Sequence, residues 1–199
     1  MPLFGKKSTP EEKFWKWFME NDERLYGVRE GQEPVIKELL VAIRKVHPDL
    51  TFEFGPVEAG NRSFTISAGG LKEVAPAVEK LYAAAPKLSH WTFYKYRQRR
   101  PLQDVRLGKV NLRPADVLVT IEEDGPKAGL GVYIKGYKGK SDQQKIGAAF
   151  LMLDEALGEY DVMMKVGFIE FYAAGTPTDL VMHNMETLPV VFDNFFQRN

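Results

Sequence analysis

A chain of 199 residues, 44% hydrophobic and 27% charged, has room for one well-buried domain or two small ones. Its 27 basic and 27 acidic side chains cancel, which removes any long-range pull of the whole molecule toward nucleic acid or an anionic membrane. It has no cysteine, which excludes disulfides, thiol catalysis and cysteine-ligated metals, and no apolar run approaches the roughly 18 residues of a membrane span, so a soluble cytoplasmic protein is expected.

Ser8 and Thr9, standing before Pro10, Glu11 and Glu12, announce a first helix: hydroxyl caps, a proline tolerated in the first turn, and acids where the helix dipole favours them. Phe14, Trp15, Trp17 and Phe18 follow, more aromatic surface than one buried stripe needs, with Phe14, Trp17 and Phe18 on one face and Trp15 pointing elsewhere. Two readings stand. Either the helix packs between two surfaces of its own domain, or its surplus rings meet a protein partner or a second copy of the chain. After a loop from Gly27 to Gly31, Ile36, Leu39, Leu40, Ile43 and Val46 recur at helical spacing and Pro48 ends a second helix, so residues 1–49 are read as N-terminal helices.

The run Phe14-Trp15-Lys16-Trp17-Phe18, with Asn21 after it and then the second amphipathic helix and the Phe52-Glu53-Phe54 strand, resembles a group of bacterial proteins with an FWxWF-type first helix and no assigned function. The resemblance spans the first half of the chain. It implies a bacterial cytoplasmic setting and nothing mechanistic.

Residues 50–97 read as a ββαβ unit. Phe52 and Phe54 alternate with Thr51 and Glu53, the period of a half-buried strand, Gly55 to Asn61 supplies a turn, and Phe64 and Ile66 alternate with Ser63, Thr65 and Ser67. Leu71, Val74, Ala75, Val78 and Leu81 then form a helical stripe, with Pro76 acceptable if the helix begins near Val74. Trp91 to Arg97 closes the unit, Trp91 and Phe93 inward and Thr92, Tyr94 and Tyr96 outward. The same order recurs over 117–173: Val117, Val119 and Ile121, a Gly-Pro turn from Glu123 to Ala128, Val132 and Ile134, a capping box of Ser141 and Gln144, a stripe of Ile146, Ala149, Phe150, Leu153 and Leu157 stopped by Gly158, and a strand from Gly167 to Tyr172. Between the units, 98–116 is either a functional loop or holds short strands near Val105 to Leu107 and Val110 to Leu112. Gly175 to Asp179 is a turn, and within 176–199 Met185, Leu188, Phe192 and Phe195 predict a closing helix with Pro189 in its first turn.

Chemistry is sparse. Lys95, Arg97, Arg99, Arg100, Arg106, Lys109 and Arg113 form a basic segment beside Tyr94 and Tyr96, but strand alternation sets Lys95, Arg97 and Arg99 opposite the tyrosines, so a strand end paired with acids is favoured over nucleic-acid binding. Gly136, Gly139, Lys140 and Ser141 resemble the end of a phosphate-binding loop, yet Ile134 stands where its first glycine belongs, which leaves only anion binding at a helix start. His47, His90 and His183 lie apart and supply no metal pair, and Asp154, Glu155, Glu159 and Asp161 read as a solvated helix face and its exit. If the helices of both units pack on one side of a common sheet, Thr51, Glu53, Thr65, Thr92, Tyr94, Tyr96, Thr120, Tyr133, Lys135, Glu170 and Tyr172 lie on its outward face, either as ordinary sheet surface or internal packing or as a site for a polar ligand or peptide.

These readings give an α+β fold: an antiparallel sheet from two ββαβ, ferredoxin-like units, with added helices at both termini. The leading expectation is a non-enzymatic interaction or regulatory protein, with a partner or homodimer meeting the aromatic first helix, no cofactor, no metal and no catalytic residue assigned. The alternatives are an enzyme using Glu53, Glu170, Tyr94 and Tyr172 on the sheet face, and nucleic-acid binding through 95–113.

Overall fold

A computed structural model describes residues 7–29 and 33–198. The fold is α+β, and the chain divides into two compact units, Met1–Tyr96 and Arg97–Asn199.

The first unit holds α1 (Pro10–Glu20), a short α2 (Asp22–Tyr26), α3 (Glu33–Arg44), the hairpin β1 (Thr51–Glu58) and β2 (Asn61–Ser67), α4 (Ala75–Ala83) and β3 (Trp91–Lys95). Thr9 caps α1 through a capping box, its hydroxyl accepting from the Glu12 amide at 3.2 Å while the Glu12 carboxylate accepts from the Thr9 amide at 2.9 Å. β2 lies between β1, which it meets antiparallel, and β3, which it meets parallel after the α4 crossover. The reversal in the hairpin is tighter than the expected Gly55–Asn61 turn. Only Ala59 and Gly60 make it, both at positive φ, and Gly55 and Pro56 are absorbed into β1 as a bulge between Phe54 and Val57. Proline is tolerated there because β1 is an edge strand.

Phe64 and Ile66 are fully buried under α1 and α4, and Val74, Val78 and Leu81 line the inner side of the α4 region. Phe64 is the hub, its ring 5.1 Å from Phe18 and 5.2 Å from Phe54, with Phe14, Trp15, Phe52 and Phe93 farther out. Arg62 shares this face and is nearly buried, with no ion pair to a carboxylate among the described residues: its guanidinium donates to the carbonyls of Leu25, Tyr26 and Gly55 and stacks on Phe54. It thereby ties the C-terminus of α2 to the bulge of β1, where the helix dipole favours a cation.

The second unit begins with a strap at Arg97–Gln103, then β4 (Val105–Leu107) and β5 (Val110–Leu112), β6 (Val117–Asp124), β7 (Lys127–Ile134), α5 (Gln143–Leu157), α6 (Glu159–Lys165), β8 (Val166–Ala173), β9 (Met182–Asn184) and α7 (Leu188–Arg198). Its larger sheet runs β8-β7-β6-β9, with β7 and β8 parallel and the other pairs antiparallel. Each unit thus contains a hairpin, a helical crossover and a third strand parallel to the second, and each sheet is mixed for that reason. The Gly125-Pro126 turn has its glycine at φ +59, the positive φ a two-residue hairpin needs.

α5 is covered on more than one side. One side meets the sheet, and Val105 and Leu112 of the β4–β5 hairpin belong to the same core. Gly147 permits the approach, since a Cβ there would sit 2.8 Å from Leu107. The expected capping box is not formed: Asp142 stands at the N-cap, and the Gln144 side chain instead accepts from the Lys109 amide at 3.2 Å. Phe150, expected in the buried stripe, is 41% exposed and touches Phe171 edge-on.

Candidate functional site: a lysine-rimmed groove and two open sheet faces

The first helix resolves into a core face and one outlier. Phe14, Trp15 and Phe18 are buried, and the Trp15 indole donates to the Leu81 carbonyl at 2.7 Å, so Trp15 is a core residue and not the one that points away. The sheet lies under the arc from Phe14 through Phe18 to Trp15, which turns Trp17 toward α3. Trp17, half-exposed, lines a groove of about 720 Å³ with Phe14, Val41 and Ala42 as its apolar wall. Its rim carries Lys13, Lys37 and Lys45 against Glu38, and Glu38 is held by Arg24 through two hydrogen bonds of 2.9 Å. Arg24 in turn holds the Glu38 carboxyl below the usual carboxylate range. Val41, 57% exposed, leaves a branched apolar side chain at the mouth. Such a site, apolar inside with cations at the edge, suits an acidic amphipathic ligand.

The two sheet faces are different. In the first unit Glu53, Thr65 and Tyr94 form one cross-strand row. Tyr94 is exposed, but Tyr96, expected beside it, is buried: its φ of +61 breaks the strand's alternation and turns the ring inward, where its hydroxyl donates to Glu79 at 3.0 Å. Ser67, also expected outward, is buried as well. In the second unit Thr120 and Tyr133 are buried on the face predicted to be open. The cause is local: Tyr133 and Tyr172 stack at 4.9 Å, and a Cβ on Gly131 would meet the Thr120 hydroxyl at 2.5 Å and then both tyrosine rings. Phe168 covers Gly129 in the same way. Aromatic side chains lie flat over bare glycine backbone, so this face has a smooth ring surface with Glu170 at its edge.

Of the four groups considered for acid–base work, Glu53 and Tyr94 belong to the first unit and Glu170 and Tyr172 to the second. Tyr172 donates to Glu170, and that hydrogen bond is the main cause that pushes the phenol up to about 12. A phenol held in its protonated form is a poor base near neutral pH. Tyrosinate absorbance should show Tyr172 ionising near pH 12, and Tyr172→Phe should remove that step. Because the folded value lies above the ordinary value of 10, the contribution to stability is complete below pH 10 and is lost as pH rises toward 12. Loss in Tyr172→Phe of a step near pH 10, with the step near pH 12 kept, would contradict the hydrogen bond.

The basic segment is largely committed to carboxylates. Lys95 pairs with Glu79, Arg97 with Asp154 and Glu159, Arg99 with Asp161 and Asp193, Arg100 with Glu155, and Arg113 with Asp116. Asp154, Glu155 and Glu159 are accordingly buried, not a solvated helix face, because the strap lies across them. Sequence spacing places these acids on α5 and α6 but does not show that a distant arginine run returns over them. At the Gly136–Ser141 loop, Lys145 donates to the Gly136 carbonyl at 2.6 Å and lies 3.8 Å from the carboxylate of Asp142, the N-cap residue, whose side chain makes no capping hydrogen bond. His90 meets Asp22 at 2.9 Å, the Asp49 amide lies 3.3 Å from the His47 ring, and His183 lies in β9. Among the described residues no group of three or more His, Asp or Glu is placed to hold a metal ion, and no helix is long and apolar enough to cross a membrane.

No family model and no curated protein matches the chain.

Proposed function

We propose that this is a non-enzymatic interaction protein whose α1–α3 groove receives an acidic amphipathic segment of a partner protein. The observation that carries the reading is Trp17: within an aromatic helix otherwise turned into the core, it is the large ring left half-exposed, and it stands in a groove rimmed by three lysines. The ligand's apolar residues would fill the wall formed by Trp17 and Val41, while its carboxylates would answer Lys13 and Lys45, whose side chains make no ion pair among the described residues. This is the helix-in-groove mode, in which apolar anchors give affinity and rim charges give rate and orientation.

A random peptide library displayed on phage tests it. Selection on the protein should enrich peptides with apolar residues at helical spacing and a net negative charge. Trp17→Ala should weaken the selected peptides roughly 10- to 100-fold, the range expected for losing an aromatic anchor. Rising salt should slow their association. Enrichment of basic peptides, or binding indifferent to Trp17, would overturn the reading.

The sheet faces favour binding over catalysis as well. On the second sheet the phenol that meets Glu170 is held protonated by that hydrogen bond, which makes it a poor base near neutral pH.

A further inference from the structure

A sheet ends in strands with one row of unpaired backbone groups, and proteins commonly blunt such edges with bulges, prolines or short length. Three of the edges here are blunted: β1 by the bulge at Gly55 and Pro56, β3 by its five residues and β9 by its three. β8 is not. It has eight residues, Val166 to Ala173, with no proline and no lysine, and Glu170 is its single charge. None of the residues from Gly167 to Ala173 is buried.

The direction of its free groups follows from one bond. The Ala174 amide donates to the Ile134 carbonyl of β7 at 3.0 Å, so by the alternation of a strand the amides of Tyr172 and Glu170 also face β7. The amides of Ile169, Phe171 and Ala173 therefore point off the sheet.

We propose that β8 pairs antiparallel with β8 of a second copy of this chain, joining the two four-stranded sheets into one across a two-fold axis. The strand's own sequence argues for a like partner. With the axis through Ile169, Glu170 lies opposite the partner's Phe168, so the two carboxylates do not meet face to face. Ile169 then meets the partner's Ile169, and Phe171 the partner's Gly167. Ile169 and Phe171 pack against the α5-covered core, and a two-fold perpendicular to the sheet keeps inner faces on the same side. A second copy thus brings its own helix-covered layer alongside, which an isolated peptide strand would not. The interface is isologous and closes at two subunits. It is independent of the α1–α3 groove.

The test combines sedimentation with amide exchange on the full chain. In concentrated protein a dimer should be seen, and the amides of Ile169 and Phe171 should exchange roughly tenfold or more slowly than after dilution to monomer, while those of Glu170 and Tyr172 change little. Ile169→Pro, which removes an outward amide and no bond to β7, should give a monomer whose β7 amides stay protected. A chain that remains monomeric at concentrations used for nuclear magnetic resonance overturns the proposal. So does a dimer in which the Ile169 and Phe171 amides exchange equally fast before and after dilution, whether or not the proline variant folds.

Discussion

Phe64→Ala should destabilise the first unit by about 3–5 kcal/mol, the usual cost of removing a buried aromatic from a packed core. Phe64 has no exposed surface and touches rings from α1, β1 and β3, so its loss opens a cavity bordered by Phe14, Phe18 and Phe54 that stiff aromatic neighbours close poorly. The measurement is clean because all the tryptophans, Trp15, Trp17 and Trp91, lie in this unit. Their fluorescence in a denaturant titration reports the first unit by itself. Tyr94→Ala, on the open face, should change the midpoint little. Equal effects of the two substitutions would mean that the faces of the sheet have been assigned wrongly.

Glu159→Ala should cost the second unit about 3–5 kcal/mol, for a different reason. Glu159 is fully buried, its carboxylate accepts from the Arg97 amide at 2.9 Å, and its own amide donates to the Arg97 carbonyl at 2.9 Å. Removing the carboxylate leaves that amide without this acceptor and weakens the charge balance around Arg97, whose guanidinium lies 3.3 Å from Asp154. Glu159→Gln keeps an acceptor oxygen and loses only the charge, so it should cost less than alanine. Amide exchange along α5 reads the effect within its own unit. An alanine variant as stable as the parent would show that the strap at Arg97–Gln103 does not brace α5 and α6.

Acid acts on the same kind of contact. Arg99 holds Asp193, and Lys95 with Tyr96 holds Glu79, below the ordinary carboxylate range. The stability these pairs contribute is complete above the unfolded carboxylate values and is lost as pH falls through the lowered folded ones.

The elements legible from sequence were those with a clean period. Alternation in Phe64–Ile66 and Val117–Val119 marks strands, and Val74, Val78 and Leu81 mark the buried side of α4, because each depends on a single covering layer. Where a second layer arrives from far along the chain, period misleads. Thr120 and Tyr133 alternate like surface residues yet are buried beneath or within the tyrosine stack, and Asp154, Glu155 and Glu159 look solvated until the arginine strap closes over them. β9 has three residues, too few for any period, and its pairing with β6 is purely long-range. The groove was half legible. The aromatic excess of α1 is plain in sequence, but which tryptophan is free depends on how the helix is rotated over the sheet, and that is set by Trp15 reaching Leu81.

The most direct test of the proposed function is amide chemical-shift mapping of the protein with a selected acidic amphipathic peptide. The account predicts shifts concentrated at Phe14, Trp17, Val41, Ala42 and Lys45. Shifts concentrated instead along Glu53, Thr65 and Tyr94, or on the second unit, would contradict it.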